Sequence, residues 1–196
     1  MLLLFKYSVF VLLLMVLFDF EIAVENVVMI GSFSESVNLS VASLKLEGSM
    51  CNWQKFSGLS FKLKSSLATF LLFKNGHFVC TGTKTKTKAK EATTTFLDLL
   101  KAEGLVSNQC TFECRVKNLV ASINIEGASV PIGQFTNDFE AIYDPDKIPT
   151  VSYKSGEPQA TVMGFLTGKI ICSGAADEET LKQTIQKLLF ATSETH

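Results

Sequence analysis

The side chains of this 196-residue sequence best suited to nucleophilic or metal chemistry are His77, His196 and five cysteines, Cys51, Cys80, Cys110, Cys114 and Cys172. Neither histidine has a nearby partner of the kind that builds a catalytic triad or a zinc site. No cysteine pair has CxxC spacing, and an odd number of buried free thiols in a reducing compartment is the reading that follows. The glycines of Cys80-Thr81-Gly82-Thr83-Lys84 and Cys172-Ser173-Gly174-Ala175-Ala176 lack the spacing of a phosphate-binding loop. Catalysis, a metal and a cofactor are therefore not what these residues point to. What recurs is a set of uncharged hydrogen-bonding groups and apolar side chains. Asn26 is matched by Asn118, Thr81 by Ser173, Val28 by Val120, Val79 by Ile171 and Phe73 by Phe165, each 92 residues on.

That offset belongs to the whole chain. Shifting the sequence by 92 without gaps gives fourteen identities over residues 24–102, nine of them within 55–82. Lys55/Lys147, Lys62/Lys154, Thr69/Thr161, Gly76/Gly168, Cys80/Cys172 and Gly82/Gly174 are among them. An internal repeat of this length implies two copies of one structural unit. One spans 22–104 and the other 112–191, after an apolar segment at 1–20.

Each copy must position its paired residues with the same elements. A β-prone run opens each (Ala23–Ile30 and Phe112–Ile123), and a short stretch at 38–46 or about 131–139 has helical character. Closely spaced strands follow in the first copy: LSFKLK, ATFLLF, the turn Lys74-Asn75-Gly76, then HFVCTG. Asn-Gly between apolar runs is a hairpin signal, since both residues tolerate positive φ. Thr167-Gly168 holds that place in the second copy. Each copy closes with a helix, striped by Ala89, Ala92, Phe96, Leu99 and Leu100 in one and by Leu181, Ile185, Leu188 and Leu189 in the other. The order is strand, short helix, four strands, long helix, twice.

Such units place helices on one side of antiparallel sheet and leave the other side open. Strand alternation sends Val79 and Thr81 to one face and Phe78 and Cys80 to the other; if Cys80 and Cys172 face the helices, Val79, Thr81, Ile171 and Ser173 line the open face with Phe73 and Phe165. An apolar face left to water implies a partner.

Bulk properties fit but do not select that partner. The chain is 47% hydrophobic, enough for a buried core, and its net charge of −1 advertises no basic field. In residues 1–20, Tyr7–Phe18 gives twelve uncharged residues, short of the roughly 20 a spanning helix needs. Asp19-Phe20-Glu21 offers no small-residue cleavage site for a signal peptide. An appended apolar segment, translation starting at Met15, true export, or an anchor are the readings of this stretch.

The motifs carry a resemblance. ENVV, KFSGLSFKLK and ATFLLFKNGHFVCTGTK, with their echoes KNLV, DPDKIPTVSYK and ATVMGFLTGKIICSGA, resemble the two direct repeats of the TATA-box-binding protein family over residues 24–191. The resemblance implies an α+β saddle, in which two pseudo-symmetric repeats form one curved antiparallel sheet with helices on its convex side. It also implies a transcription initiation factor that binds AT-rich promoter DNA in the minor groove and bends it.

Residue by residue, the resemblance assigns roles whose chemistry is sound. A·T pairs show only acceptors in the minor groove, and G·C adds an amino group, so a reader needs donors and a smooth apolar surface. Asn26 and Asn118 match the family's central asparagines and Thr81 and Ser173 its hydroxyl donors. Val28, Val120, Val79 and Ile171 match its apolar floor. Phe56 and Phe73, 17 residues apart, match one intercalating pair; Ile148 and Phe165 hold the other, with isoleucine replacing a phenylalanine. Lys55, Lys62, Lys84, Lys154 and Lys169 match phosphate contacts, which fix register without reading sequence. His77 stands opposite Lys169, and Ala176 opposite Lys84, so the basic set is reduced.

Asp144 and Asp146, before Ile148-Pro149, resemble the stirrup that meets transcription factor IIB, and RNA polymerase is implied beyond it. The location implied is on DNA, in the nucleoid of an archaeal cell or the nucleus of a eukaryotic one. The near-neutral core without a long polar extension looks archaeal, though a divergent eukaryotic or viral copy fits too. Two other hypotheses stand beside this one: a divergent interaction module that does not bend TATA DNA, and a binding protein tethered to a membrane by residues 1–20.

Overall fold

The alternation read along the sequence becomes strands in the computed structural model, which describes residues 22–124, 142–144, 148–155, 160–165 and 169–193. The chain divides into two compact units, Glu25–Asn118 and the residues from Leu119 onward together with those up to Val24.

The first unit holds β1 (Ile22–Phe33) from Glu25 on, α1 (Leu39–Lys45), β2 (Met50–Cys51), β3 (Gly58–Lys62), β4 (Thr69–Phe73), β5 (His77–Thr83), α2 (Lys86–Ala102) and the opening of β6 (Phe112–Asn124). Its strands lie in the order β2-β3-β4-β5-β1, with antiparallel pairing from β2 through β5 and between β5 and β1. The second unit holds the rest of β6, then β7 (Ile142–Asp144), β8 (Ile148–Ser155), β9 (Ala160–Phe165), β10 (Lys169–Ala175) and α3 (Glu178–Ser193). There the order is β6-β10-β9-β8-β7, again antiparallel. The two connectivities are the same, and each unit is the α+β arrangement expected. The short helix expected near 131–139 lies outside the described residues, as do Gly168 and the segment 1–20.

Helices form where local chemistry caps them. The Asn38 carboxamide accepts from the Ser40 and Val41 amides at the start of α1, and Thr85 Oγ1 accepts from the Lys88 amide at the start of α2. Asp177 accepts from the Thr180 amide before α3. The buried stripe of α2 is Ala89, Ala92, Thr93, Phe96, Leu97 and Leu100. It is rotated from the expected stripe: Leu99 is only half-buried and Leu97 takes its place. The observed set keeps the i, i+3/i+4, i+7/i+8 spacing, and Thr93 fits because its hydroxyl donates to the Ala89 carbonyl at 2.8 Å. In α3, Leu181 and Ile185 are fully buried.

Phe96 anchors the first core. Its ring stacks on Phe70 at 4.3 Å and on Phe61 at 5.4 Å, and Phe33 packs on Phe78 at 4.8 Å. Phe33, Phe61, Phe70 and Phe78, with Met29, Leu59, Leu72 and Cys80, form the helix-facing side of the sheet and are buried with Phe96.

The hairpin between β4 and β5 uses a three-residue loop, with the Gly76 amide donating to the Phe73 carbonyl at 3.0 Å. Only Gly76 adopts positive φ, at 83°. Asn75 stays at negative φ and accepts instead from the His77 amide through its side chain. A turn followed by a left-handed glycine is the common three-residue hairpin, which corrects the expectation that both residues would use positive φ.

Candidate nucleic-acid interface

The repeated Cys-Thr/Ser-Gly motif is a strand irregularity. Along β1, Val27 faces Thr83 and Met29 faces Cys80, so β5 carries one residue more than its partner. In the second unit the register slips between Ser173 and Ala175 in the same way. Gly82 and Gly174 take φ of 95° and 105° at these points, as bulges built on a left-handed glycine require. A Cβ on Gly82 would lie 2.5 Å from the Leu67 carbonyl, so the position is closed to other residues.

The first bulge brings the β5 backbone to Asn26. The Gly82 amide donates to Asn26 Oδ1 at 2.8 Å, and Thr81 Oγ1 lies 3.0 Å from Asn26 Nδ2 and 3.2 Å from Oδ1. A backbone N–H can only donate, so it fixes which end of the carboxamide is oxygen. The NH2 group is thereby oriented, and it has two hydrogens for the single contact to Thr81. Asn26 is half-buried on the side of β1 opposite buried Val27 and Met29.

Around this donor the open face is apolar. Val28, Val79 and Thr81 are half-buried there, as the alternation predicts, while Cys80 is fully buried beneath. Ile30 pairs with Val79, and Val79 with Leu71. Ile30 and Leu71 extend the floor and were not singled out from sequence. The signal was present in ATFLLF, where Phe70 and Leu72 point inward and Leu71 therefore outward. In the second unit Ile171 lies between Ser122 and Met163, and Ser173 between Val120 and Thr161. Val120, Ile171 and Ser173 are half-buried and Cys172 is fully buried. Asn118 is half-buried on β6.

At the end of the first open face, Phe56 and Phe73 come together with ring centroids 5.5 Å apart. Phe56 keeps 38% of its surface exposed. Phe165 ends β9 half-buried, and Ile148 begins β8 with its side chain outside the described set.

The basic residues are unequal. Lys55, Lys62 and Lys169 are exposed. Lys84 is exposed but ion-paired, its Nζ 2.8 Å from the Glu25 carboxylate. Lys154 pairs along the backbone with Thr161 and Asp144 with Ile148; Asp146 lies outside the described residues.

The thiols divide as well. Cys80, Cys110 and Cys172 are buried, but Cys114 is half-buried and Cys51 exposed, which corrects the expectation of five buried thiols. Burial pushes the Cys80 and Cys172 thiols up to about 11. Both are therefore neutral at physiological pH and serve as core side chains. His77 lies beside Asn75, its Nδ1 2.7 Å from the carboxamide nitrogen. Among the described residues no group of three His, Cys, Asp or Glu could hold a metal ion, and no helix is long and apolar enough to cross a membrane.

Two like-built α+β units, each presenting among the described residues a sheet face of apolar and hydroxyl side chains opposite its buried face, define a duplicated α+β protein. A family model described as transcription factor TFIID (or TATA-binding protein, TBP) matches residues 21–102 and 113–191, and the chain belongs to that family. It is 30% identical to the TATA-box-binding protein of Methanobrevibacter smithii over 185 residues, covering 90% of this chain and 97% of that one. It is 31% identical to the TATA-box-binding protein of Pyrobaculum aerophilum, covering 84% of this chain and 82% of the other. Among solved structures, Methanococcus jannaschii TBP matches with a TM-score of 0.80 and 27% identity, covering 89% and 99% of the respective chains.

Proposed function

We propose that this protein is a general transcription initiation factor that binds AT-rich, TATA-box promoter DNA in the minor groove and bends it. The observation that carries the reading is the Asn26 carboxamide, oriented by the Gly82 amide and set in an apolar floor of Val28, Ile30, Leu71 and Val79. An oriented NH2 suits adenine N3 and thymine O2, the only groups A·T pairs display there, and apolar neighbours leave a guanine amino group without an acceptor. Asn118, Val120, Ile171 and Ser173 perform the same task in the second repeat.

Phe56 with Phe73 in one repeat, and Ile148 with Phe165 in the other, act as wedges. Unstacking a base step costs a few kcal/mol, offset by the larger surface a bent duplex brings into contact. Lys55, Lys62, Lys154 and Lys169 hold phosphates. Asp144 and Asp146 receive a transcription factor IIB-type protein through which RNA polymerase is recruited, and the protein works where the chromosome is. A labelled TATA duplex whose ends carry a fluorescence-transfer pair tests this: the purified chain brings the ends together, and a G·C-rich duplex of equal length stays straight. Equal indifference to both duplexes would return the protein to the class of interaction modules.

A further inference from the structure

Glu25 and Lys84 flank the Asn26 clamp. Glu25 precedes Asn26 on β1, Lys84 follows β5 two residues beyond Gly82, and their charged atoms meet at 2.8 Å. At the matching places in the second repeat stand Lys117 and Ala176. The first repeat thus carries a neutral pair where the second carries a net positive charge.

We propose that Glu25 is a positioning residue that limits DNA affinity: it holds Lys84 in an internal ion pair, so that this lysine adds no net phosphate neutralisation. The inference rests on the minor-groove reading above. The electrostatics are direct. A lysine strengthens DNA binding mainly by releasing condensed counterions, in proportion to the net charge it brings to the phosphates. If Lys84 leaves Glu25 for a phosphate, the negative charge of Glu25 remains beside the duplex; if it stays, the pair brings no net charge. Either way one cation is cancelled. The pair itself contributes little to folding, because the Lys84 and Glu25 side chains are 69% and 43% exposed and solvent screens them. Its consequence falls on binding.

The test uses the full chain and a TATA duplex, with affinity measured across salt concentrations. Glu25→Gln is expected to bind more tightly at low salt and to steepen the slope of log affinity against log salt by about 0.9, one additional phosphate. Its advantage over the native chain should shrink about 3.5-fold between 50 and 200 mM salt, the contribution of one contact. Lys84→Ala alone leaves the Glu25 carboxylate beside the duplex and should make the slope shallower by about 0.9, whereas in the Glu25→Gln background it should return the slope to native. Glu25→Lys, which installs the second repeat's residue, should steepen the slope further. Thermal melting of Glu25→Gln should match the native chain, separating the effect from folding. A Glu25→Gln slope equal to native overturns the proposal while leaving DNA binding intact. Absence of binding by native and Glu25→Gln chains alike overturns both readings.

Discussion

The rings of Phe56 and Phe73 meet edge to face, with centroids 5.5 Å apart and planes at 67°. Their meeting depends on a third residue. Gly58 lies directly opposite Phe73 in the β3–β4 pairing, and a Cβ there would fall 2.5 Å from the Phe56 ring. The bare backbone of Gly58 is what lets Phe56 fold onto Phe73. An edge-to-face pair contributes about 0.5–1.5 kcal/mol beyond its buried area, enough to hold the two rings as one preformed wedge.

Removing one ring should therefore weaken the wedge without disturbing the core. Phe56→Ala, at a partly exposed position, is expected to reduce affinity for a TATA duplex about 10-fold, or 1.4 kcal/mol, with a smaller bend. Titration of the fluorescence-transfer duplex measures both, and an unchanged bend would remove Phe56 from the interface.

Gly58→Ala tests the same relationship from the other side. The added methyl displaces the Phe56 ring, so the affinity loss should approach that of Phe56→Ala although no ring has been removed. Combining the two should add almost nothing, because residues in contact are not additive. Full additivity would show that Gly58 acts elsewhere.

A substitution beneath the sheet and one in the bulge should both lower stability, but only the second should touch recognition. Phe96→Ala removes the ring on which Phe61 and Phe70 stack and is expected to cost about 3–5 kcal/mol of stability. Gly82→Ala forces a side chain to adopt a φ of 95° against the Leu67 carbonyl, at a cost of about 1–3 kcal/mol. Urea denaturation measures both. Gly82→Ala should also release Asn26 and lose discrimination between A·T and G·C, which Phe96→Ala at a temperature where it stays folded should retain.

The two buried thiols give stability an alkaline dependence. Burial raises Cys80 and Cys172 to about 11 in the folded chain, above the range of an exposed thiol. Between the unfolded and folded values the native state keeps protons that the unfolded state has lost, so stability falls as pH rises from about 9 toward 11. Denaturation midpoints across that range should drop, and a Cys80→Ala/Cys172→Ala chain should drop less steeply from its own lower starting point. At neutral pH a thiol reagent should label Cys51 rapidly and the two buried thiols only on unfolding.

Much of this architecture was legible because it is written twice. The matched positions and the alternation around Val79 and Thr81 were enough to assign the open face, and the apolar runs between turn residues were enough to place the strands of the first repeat. What escaped was set by three-dimensional neighbours. The glycines of the two Cys-Thr/Ser-Gly motifs were visible, but the bulge that ties Gly82 to Asn26 joins residues 56 apart. Leu97 rather than Leu99 enters the core because α2 is rotated to seat Phe96 between Phe61 and Phe70. The Glu25–Lys84 pair spans 59 positions and changes what a lysine assigned to phosphate can contribute.

The most direct test of the account is the end-to-end distance of a TATA duplex saturated with the native chain and with Phe165→Arg. The native chain should shorten that distance and leave a G·C-rich duplex unchanged, while Phe165→Arg, although folded, should leave both duplexes straight. A TATA duplex that remains straight at saturation by the native chain would contradict it.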